Sequence, residues 1–210
     1  MQKKRSATKE KIKKITVRLC NESDSLSITT NHIAKEVGIS IGNLYYHYAN
    51  KEEIIRDIYA DMSHTFESFN SFDTMMTSTN PLNAMHKMFE KYAQLFWEYR
   101  FLLRDAALLM AMDQELKSMF AKNQEKRIGQ IEMVLKFLIN EEILENIPKE
   151  QIPKRAKLQW FISAYWQVFT STYTQISKES IQEAKEMLFE LHIYPFLSQK
   201  GKELLAQETE

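Results

Sequence analysis

The stretch HIAKEVGISIGNLYYHYANKEE, residues 32–53, decides the fold of this 210-residue chain. It contains two of the four glycines in the sequence, Gly38 and Gly42. Apolar residues at helical spacing lead up to Gly38, and glycine adopts the left-handed conformation that ends a helix at little cost. Ser40 is a suitable N-cap for a second short helix. Two helices joined by a tight, glycine-containing turn are typical of a helix-turn-helix, whose second helix enters the major groove of DNA.

Helical segments flank this motif on both sides. Apolar residues at i, i+3, i+4 and i+7 spacing predict an amphipathic helix over residues 8–20. The threonine pair at 29–30 caps the helix that ends at the turn. Asn50 with Glu53 is typical of a capping box and predicts a fourth, longer helix. We therefore expect a three-helix head over residues 1–52.

Several residues of the motif have the chemistry to contact DNA. Gly42, on the exposed side of the second helix, allows that helix to lie close to a phosphate or a base edge. The hydroxyl groups of Tyr45 and Tyr46 and the ammonium group of Lys51 can donate hydrogen bonds to phosphate oxygens. The alternative is that the glycines and tyrosines form only a turn and a core.

Charge is distributed unevenly along a chain whose formal net charge is zero. The first 51 residues carry ten Lys or Arg and four Asp or Glu, whereas the rest carry 18 and 24. A basic head on an acidic body is expected when only one part of a protein meets phosphate.

The run ITTNHIAKEVGISIGNLYYHY at residues 28–48, followed by NKEEI at 50–54, resembles the DNA-binding domain of the TetR family of bacterial transcriptional repressors. The match covers about residues 8–60 and includes the alanine after an aliphatic residue, the turn glycine, the Ser-x-Gly start of the recognition helix and the aromatic run before Lys-Glu. Residues 20–26 depart from the family pattern, since they lack its aromatic residue and its glycine.

The resemblance implies DNA-contacting roles for ten residues. Thr29 and Thr30 resemble a phosphate clamp at a helix N-terminus, where free N–H groups favour an anion. Base-edge contacts are implied for Ile41, Asn43 and Tyr46, because asparagine pairs with adenine and an apolar side chain meets the thymine methyl group. The complete set is Thr29, Thr30, Ser40, Ile41, Gly42, Asn43, Tyr45, Tyr46, His47 and Lys51, of which Tyr45, His47 and Lys51 are implied backbone contacts.

The remaining residues, 53–210, predict a larger helical body, and the fold class is all-α. Four glycines and four prolines supply too few turns for a many-stranded sheet. The helix that starts at residue 51 links head and body. Residues 71–80 are expected to form a loop, with helices over 81–98 and 114–140.

Methionine-rich and aromatic faces in the body are compatible with either a core or a cavity for an apolar or amphipathic small molecule. Residues 96–123 resemble a TetR subgroup that includes fatty-acid-responsive repressors, which implies a fatty acyl effector. Arg104 and Asp105 are expected to be partners in a structural ion-pair network, and the alternative is that Arg100 or Arg104 binds an anionic head group. The candidate effector-binding residues are Met88, Phe89, Tyr92, Phe96, Arg104, Met110 and Met112.

Two C-terminal helices, near residues 154–174 and 180–195, show more apolar surface than one core face requires. Ser180 with Glu183 is expected to cap the second helix. Both helices suit a two-fold interface, so we expect a homodimer that binds a pseudo-palindromic DNA operator.

Other functional classes lack sequence support. The five histidines are scattered, and no metal-ligand pair, phosphate-binding glycine loop or nucleophile elbow is apparent, so we expect no enzyme activity, no cofactor and no metal. One cysteine and no long apolar run predict a cytoplasmic protein without a membrane span. The expected function is a ligand-responsive transcriptional regulator, and the alternative is a helical lipid or ligand carrier with an incidental basic N-terminal segment.

Overall fold

The computed structural model describes residues 2–69 and 71–207, with side chains from residue 7 onward. The side chains of Lys3, Lys4 and Arg5, which contribute to the basic head, lie outside the described residues. All regular elements in these ranges are helical, which confirms the predicted all-α class. The α-helices are α1 Gln2–Glu22, α2 Thr30–Val37, α3 Ile41–His47, α4 Lys51–Ser68, α5 Ser71–Met76, α6 Pro81–Glu98, α7 Arg100–Arg104, α8 Ala106–Met112, α9 Gln114–Asn140, α10 Ile152–Thr170, α11 Lys178–Leu188 and α12 Gln199–Ala206. Short 3-10 helices span Lys149–Gln151 and Tyr194–Phe196, and a π-helical turn spans Phe189–Ile193.

Local capping defines the helix-turn-helix. The Thr29 side chain accepts a hydrogen bond from the His32 backbone N–H, and the His32 ring accepts one from the Thr29 N–H, both at 3.3 Å. Gly38 ends α2 at φ 76°, in the left-handed region that favours glycine. The Ser40 side chain then caps α3 through the Asn43 N–H. These features confirm the predicted turn.

A related cap begins α4. The Asn50 side chain accepts the Glu53 N–H at 2.8 Å, as the sequence predicts. The Glu53 carboxylate, however, accepts from the N–H of Ala49 at 2.6 Å, one residue before the N-cap. The cap therefore also fixes the short connection between α3 and α4.

Two buried apolar clusters divide the interior. The first combines residues of α1 to α4 with Phe101, Leu102, Leu109 and Leu116, which come from α7, α8 and α9. The second lies among α5, α6, α9, α10 and the C-terminal segment. Because α7 and α8 contribute to the first cluster, residues distant in sequence complete the core beneath the DNA-binding motif.

Several expected boundaries are wrong, among them those of α1, which spans Gln2–Glu22, and the end of α10, which lies at Thr170 and not near residue 174. Residues 71–76 form α5 and not a loop, because Met75 is fully buried and packing outweighs the turn-prone composition. Helix α11 starts after an N-cap at Ser177, and Ser180 donates its N–H to that cap. Helix α10 begins at Ile152. Pro153 is tolerated in its first turn, because the backbone N–H that proline lacks has no acceptor within the helix at that position.

Candidate nucleic-acid interface and effector cavity

The outer face of α3 presents a contiguous set of exposed side chains. Leu44 on the opposite face is completely buried, which fixes the rotation of the short helix. Tyr46 is 61 % exposed, and Asn43 and Ile41 lie beside it on the open face. A methyl group added at Gly42 would meet no atom of the chain within 4 Å, so the fold itself does not require glycine there.

The start of α2 lies next to α3. The hydroxyl groups of Thr30 and Tyr45 are 3.2 Å apart and share a hydrogen bond. Thr29 is exposed, although its hydroxyl already caps α2. The first turn of α2 and the tyrosine hydroxyl thus converge at one edge of the motif, as a backbone-binding edge requires.

Two of the ten residues point inward. His47 is buried, and its ring makes an edge-to-face contact with Tyr46 at 5.3 Å. The Lys51 ammonium donates to the backbone carbonyls of Ser25 and Ile28 at 2.9 and 2.8 Å. Lys51 therefore holds the connection before α2 against the start of α4.

Tyr48, directly after α3, anchors the recognition helix to α4. Its hydroxyl donates to the carboxylate of Asp57 at 2.6 Å, and the Lys9 ammonium lies 4.4 Å from the ring centre. Burial, together with the adjacent Asp57, raises the pKa of Tyr48, so the side chain stays a neutral donor at physiological pH. This contact limits tilting of α3.

Polar contacts also tie α7 and α8 to the head. Arg104 donates to the backbone carbonyls of Cys20 and Ser23 at 2.9 and 2.8 Å and pairs with Asp105 at 2.7 Å. Asp105 in turn accepts from the Ser25 hydroxyl at 2.5 Å. Burial alone would raise the pKa of Asp105, but Arg104 and Ser25 outweigh it and the pKa is lowered. Arg104 is therefore a structural link to the α1–α2 connection.

A mainly apolar cavity of about 270 Å³, here called the inner cavity, lies among α4, α6, α7, α8, α9 and α10. A side recess of about 50 Å³ adjoins it and shares part of its wall. The residues that line both spaces are Phe66, Phe96, Arg127, Trp160 and Ser163.

The candidate effector residues are distributed unevenly around these spaces. Phe96 and Met110 line the inner cavity, and Met88, Phe89 and Tyr92 line the side recess together with Phe96. Arg104 lines neither space. Met112 is exposed and lies beside Lys51 and Leu116, away from the inner cavity.

Arg127 lines the cavity but is not among the effector-binding residues predicted from the sequence. It is 3 % exposed, lies 3.8 Å from the ring centre of Phe66, and donates to Gln130 at 2.7 Å. It also pairs with Glu67 at 2.5 Å. Its spacing in the sequence could have revealed it, because Arg127 lies four residues before Ile131 and therefore on the buried face of α9.

The outer face of α10 is unusually apolar. Phe161 is 60 % exposed, and several further large apolar side chains are exposed on α10 and after it: Leu158, Phe169, Tyr173 and Leu191. Beneath this face, Gln167 and Ser180 exchange hydrogen bonds at 3.0 and 3.2 Å, which align α10 with α11. A more open groove of about 630 Å³ between α6 and α11 is lined largely by charged and amide side chains, so it suits an apolar guest less well.

Together, a helix-turn-helix with an exposed second helix and a helical body define the class of helix-turn-helix DNA-binding regulators. Family comparisons agree: residues 16–58 match bacterial regulatory proteins of the tetR family, and residues 61–205 match the TetR description of a bacterial transcriptional repressor. The chain belongs to the TetR family, which confirms the sequence resemblance. It is a transcriptional regulator.

Solved structures share the fold over nearly the whole chain. A TetR-family transcriptional regulator from Marinobacter aquaeolei VT8 is 24% identical with a TM-score of 0.79, covering 96% of this chain and 97% of the other. A TetR transcription regulator from Haloarcula marismortui is 18% identical with a TM-score of 0.70, covering 92% and 100%. A Clostridium perfringens protein described as a fatty acid metabolism regulator is 16% identical with a TM-score of 0.55, covering 86% and 97%.

A comparison with functionally curated proteins gives no significant match. Within residues 2–69 and 71–207, no helix has both the length and the apolar composition that a bilayer crossing requires.

Proposed function

We propose that this protein is a ligand-responsive repressor that binds a pseudo-palindromic operator as a homodimer and is released by an apolar or amphipathic small molecule. Residues 1–52 form the DNA-binding unit, and residues 53–210 form the effector-binding and dimerisation unit, linked by α4. The observation that carries the proposal is the position of α7 and α8. Leu103 and Met110 line the inner cavity, whereas Arg104 and Asp105 bond to the head.

The exposed face of α3 supports the DNA-binding part of the proposal. Ile41, Asn43 and Tyr46 read base edges, the Gly42 backbone allows close approach, and Ser40 starts the helix. Thr29, Thr30 and Tyr45 bind the phosphate backbone at the adjoining edge. His47 and Lys51 contribute indirectly. The His47 ring supports Tyr46, and the Lys51 ammonium group fixes the connection at the start of α2.

The inner cavity and side recess support the effector part. The walls are mostly aromatic and aliphatic, as in small-molecule sites, and the combined size lies at the lower end of the roughly 300–1,000 Å³ typical of such pockets. The structurally similar Clostridium perfringens protein is described as a fatty acid metabolism regulator, which favours a fatty acyl effector. Release requires differential affinity: reversing a 99:1 population needs about a 10⁴-fold preference for the DNA-free form, which two cavities in a dimer can share.

The decisive experiment begins with operator selection from a random duplex pool by the purified protein. Free fatty acids, acyl-CoAs and hydrophobic drugs are then tested for loss of operator binding. Any compound that lowers operator affinity must bind less tightly by the same factor when operator is present, because coupling between two ligands is reciprocal. The carrier alternative predicts ligand binding with no sequence preference on DNA and would be established by that result.

A further inference from the structure

Resting on the proposed function, we propose that the effector carries a carboxylate, which Arg127 binds at the junction of the inner cavity and the side recess. Arg127 lines both spaces, so a ligand in either one lies against its side chain. The apolar remainder of the ligand lies in the inner cavity against Phe96 and Trp160. The effector is thus an amphipathic acid of modest chain length.

The hydrogen-bonding capacity of Arg127 is the first support. A guanidinium group has five N–H donors in a planar fork. One terminal nitrogen of Arg127 donates a hydrogen bond to the Gln130 side chain, and the other forms an ion pair with Glu67. The remaining donors are available for a carboxylate, which arginine binds in a bidentate manner.

The local charge is the second support. Glu67 pairs with both Lys126, at 2.9 Å, and Arg127, so this cluster of three side chains has a net charge of one positive unit. Burial alone would raise the pKa of Glu67, but Lys126 and Arg127 outweigh it and the pKa is lowered, which keeps Glu67 ionised. One additional negative charge would therefore make the cluster neutral, and a ligand carboxylate supplies that charge.

The composition of the walls is the third support. The lining residues of the inner cavity and the side recess include two cations, Arg127 and the exposed Lys117, and no acid among the described residues. Glu67 lines neither space and its side chain is 40% exposed, so it approaches Arg127 from the solvent side. A positive group faces an apolar space that holds no competing carboxylate.

Decanoate, 1-decanol and decyl phosphate test the inference, titrated by calorimetry into the wild-type full-length protein below their aggregation concentrations. Decanoate is expected to bind about tenfold more tightly than decanol, because a hydrogen bond between two charged groups is stronger than one that involves a neutral hydroxyl group. Decyl phosphate is expected to bind more weakly than decanoate, since its larger charge exceeds that of the cluster. Tighter binding of decyl phosphate would overturn the carboxylate assignment.

Variants separate ligand binding from a structural role of Arg127. Arg127→Met is expected to weaken decanoate about tenfold and to leave decanol within about threefold. Glu67→Gln is expected to strengthen decanoate binding severalfold, because it removes the acid that competes for Arg127, and a merely structural ion pair would not give this increase. Lys122→Gln, at an exposed cation of α9 that lines neither space, is the control and should change neither ligand by more than about twofold.

Each outcome has a defined meaning. Equal binding of decanoate and decanol to the wild-type protein overturns the carboxylate inference and leaves the effector cavity intact. Failure of all three compounds to bind overturns the inference and counts against the effector cavity as well. If Arg127→Met does not fold, as judged by thermal unfolding, the wild-type comparison and Glu67→Gln decide the question.

Discussion

Gly42 occupies a helical position at which the fold gains nothing from glycine. Alanine is favoured over glycine by about 0.5–1 kcal/mol in the interior of a helix and by less in the first turn, where Gly42 is the second residue of α3; the space at Gly42 is open. Glycine at this position lowers the stability of the free chain, and nothing in the packing of the chain requires it. A binding partner that approaches the backbone of Gly42 closely would explain why glycine is present. Here that partner is the proposed operator.

Gly42→Ala is therefore expected to raise the free energy of unfolding by at most about 0.5 kcal/mol, because Gly42 lies in the first turn of α3, and to weaken operator binding, because the added methyl group keeps α3 away from DNA. Chemical denaturation and a DNA titration measure the two effects. Gly129→Ala is the matched control, since Gly129 lies in α9 with equally open space. It should stabilise the protein without changing operator affinity, and a Gly42→Ala protein with undiminished operator affinity would contradict the close approach.

Asn43→Ala and Tyr46→Ala are each expected to weaken specific binding by about 1–3 kcal/mol and to affect random DNA much less, because base contacts carry the sequence information. Lys51→Ala should weaken both, since the loss of its bonds to Ser25 and Ile28 frees the start of α2. Fluorescence anisotropy with operator and scrambled duplexes measures the difference. Equal losses on both duplexes for all three variants would refute the assignment.

Capping and turn residues were predictable one by one because their bonding partners lie within a few residues. Thr29, Gly38 and Ser40 have the roles that the sequence predicts. The inward orientation of Lys51 was not predictable, because its acceptors belong to a connection 26 and 23 residues earlier. The cavity position of Arg127 likewise depends on α4 and α10, which no local pattern specifies.

Helices α7 and α8 serve two surfaces at once. Leu103, Ala106 and Met110 line the inner cavity, and Arg104 with Asp105 bonds to the α1–α2 connection. A guest that displaces the lining side chains therefore moves elements that hold the head. Interfaces of packed helices tend to shift between discrete arrangements, which makes such a segment suitable as a switch.

Ser25→Ala removes the hydroxyl that donates to Asp105, and Ser25 is itself fully buried. We expect the effector to bind the variant with nearly unchanged affinity but to lower operator affinity by a smaller factor, because one link between cavity and head is lost. Typical coupling free energies of about 1–3 kcal/mol make the reduction measurable by operator titration with and without effector.

Ser27→Ala is the matched control for this experiment, because its hydroxyl donates to a carbonyl within the same connection and not to α7 or α8. It should leave the coupling factor unchanged. An equal reduction in both serine variants would show that the connection matters only for the stability of the head.

At the scale of the elements, the predicted and observed helices agree best where a local signal marks the N-terminus of the helix. Helix α6 starts at the Asn80 cap and Pro81, as expected, and α9 covers Gln114–Asn140. The short helix α5 was missed because its stability comes from burial of Met75 and not from its composition. The division of residues 98–113 into α7 and α8 also follows from the bonds to the head.

The whole molecule combines a basic head with an apolar outer face on α10. Phe161 and its exposed neighbours form an apolar surface that water does not favour, and we expect a two-fold partner with the same surface to cover it. We expect such a dimer to place its two α3 helices on one side. Half-sites of the operator are then expected about one helical turn, roughly 34–36 Å, apart or at a multiple of this distance.

Phe161→Glu is expected to yield monomers and to abolish tight operator binding at the same time, because a charge at the centre of the proposed interface is costly to bury. The Phe161 side chain is exposed, so a substitution there tests the interface without disturbing the core. Trp166, in the same helix, is partly buried, and a charge there would also affect packing within the protomer. Analytical ultracentrifugation and operator titration give the two readouts. Met133→Glu, at an exposed apolar residue of α9, is the control and should remain dimeric.

A Phe161→Glu protein that sediments as a dimer would exclude this face of α10 from the interface. A protein that is monomeric yet binds operator with wild-type affinity would exclude the need for a dimer.

The links from α7 and α8 to the head are made by side chains that do not line the cavity. Arg104 and Asp105 hold the connection, while Phe96, Met110 and Trp160 form walls. Under the proposed function, substitutions in the walls would change which molecule is detected without altering how detection is reported. This separation makes the chain a suitable scaffold for directed evolution of small-molecule biosensors, with libraries confined to wall positions and a single fixed reporter promoter.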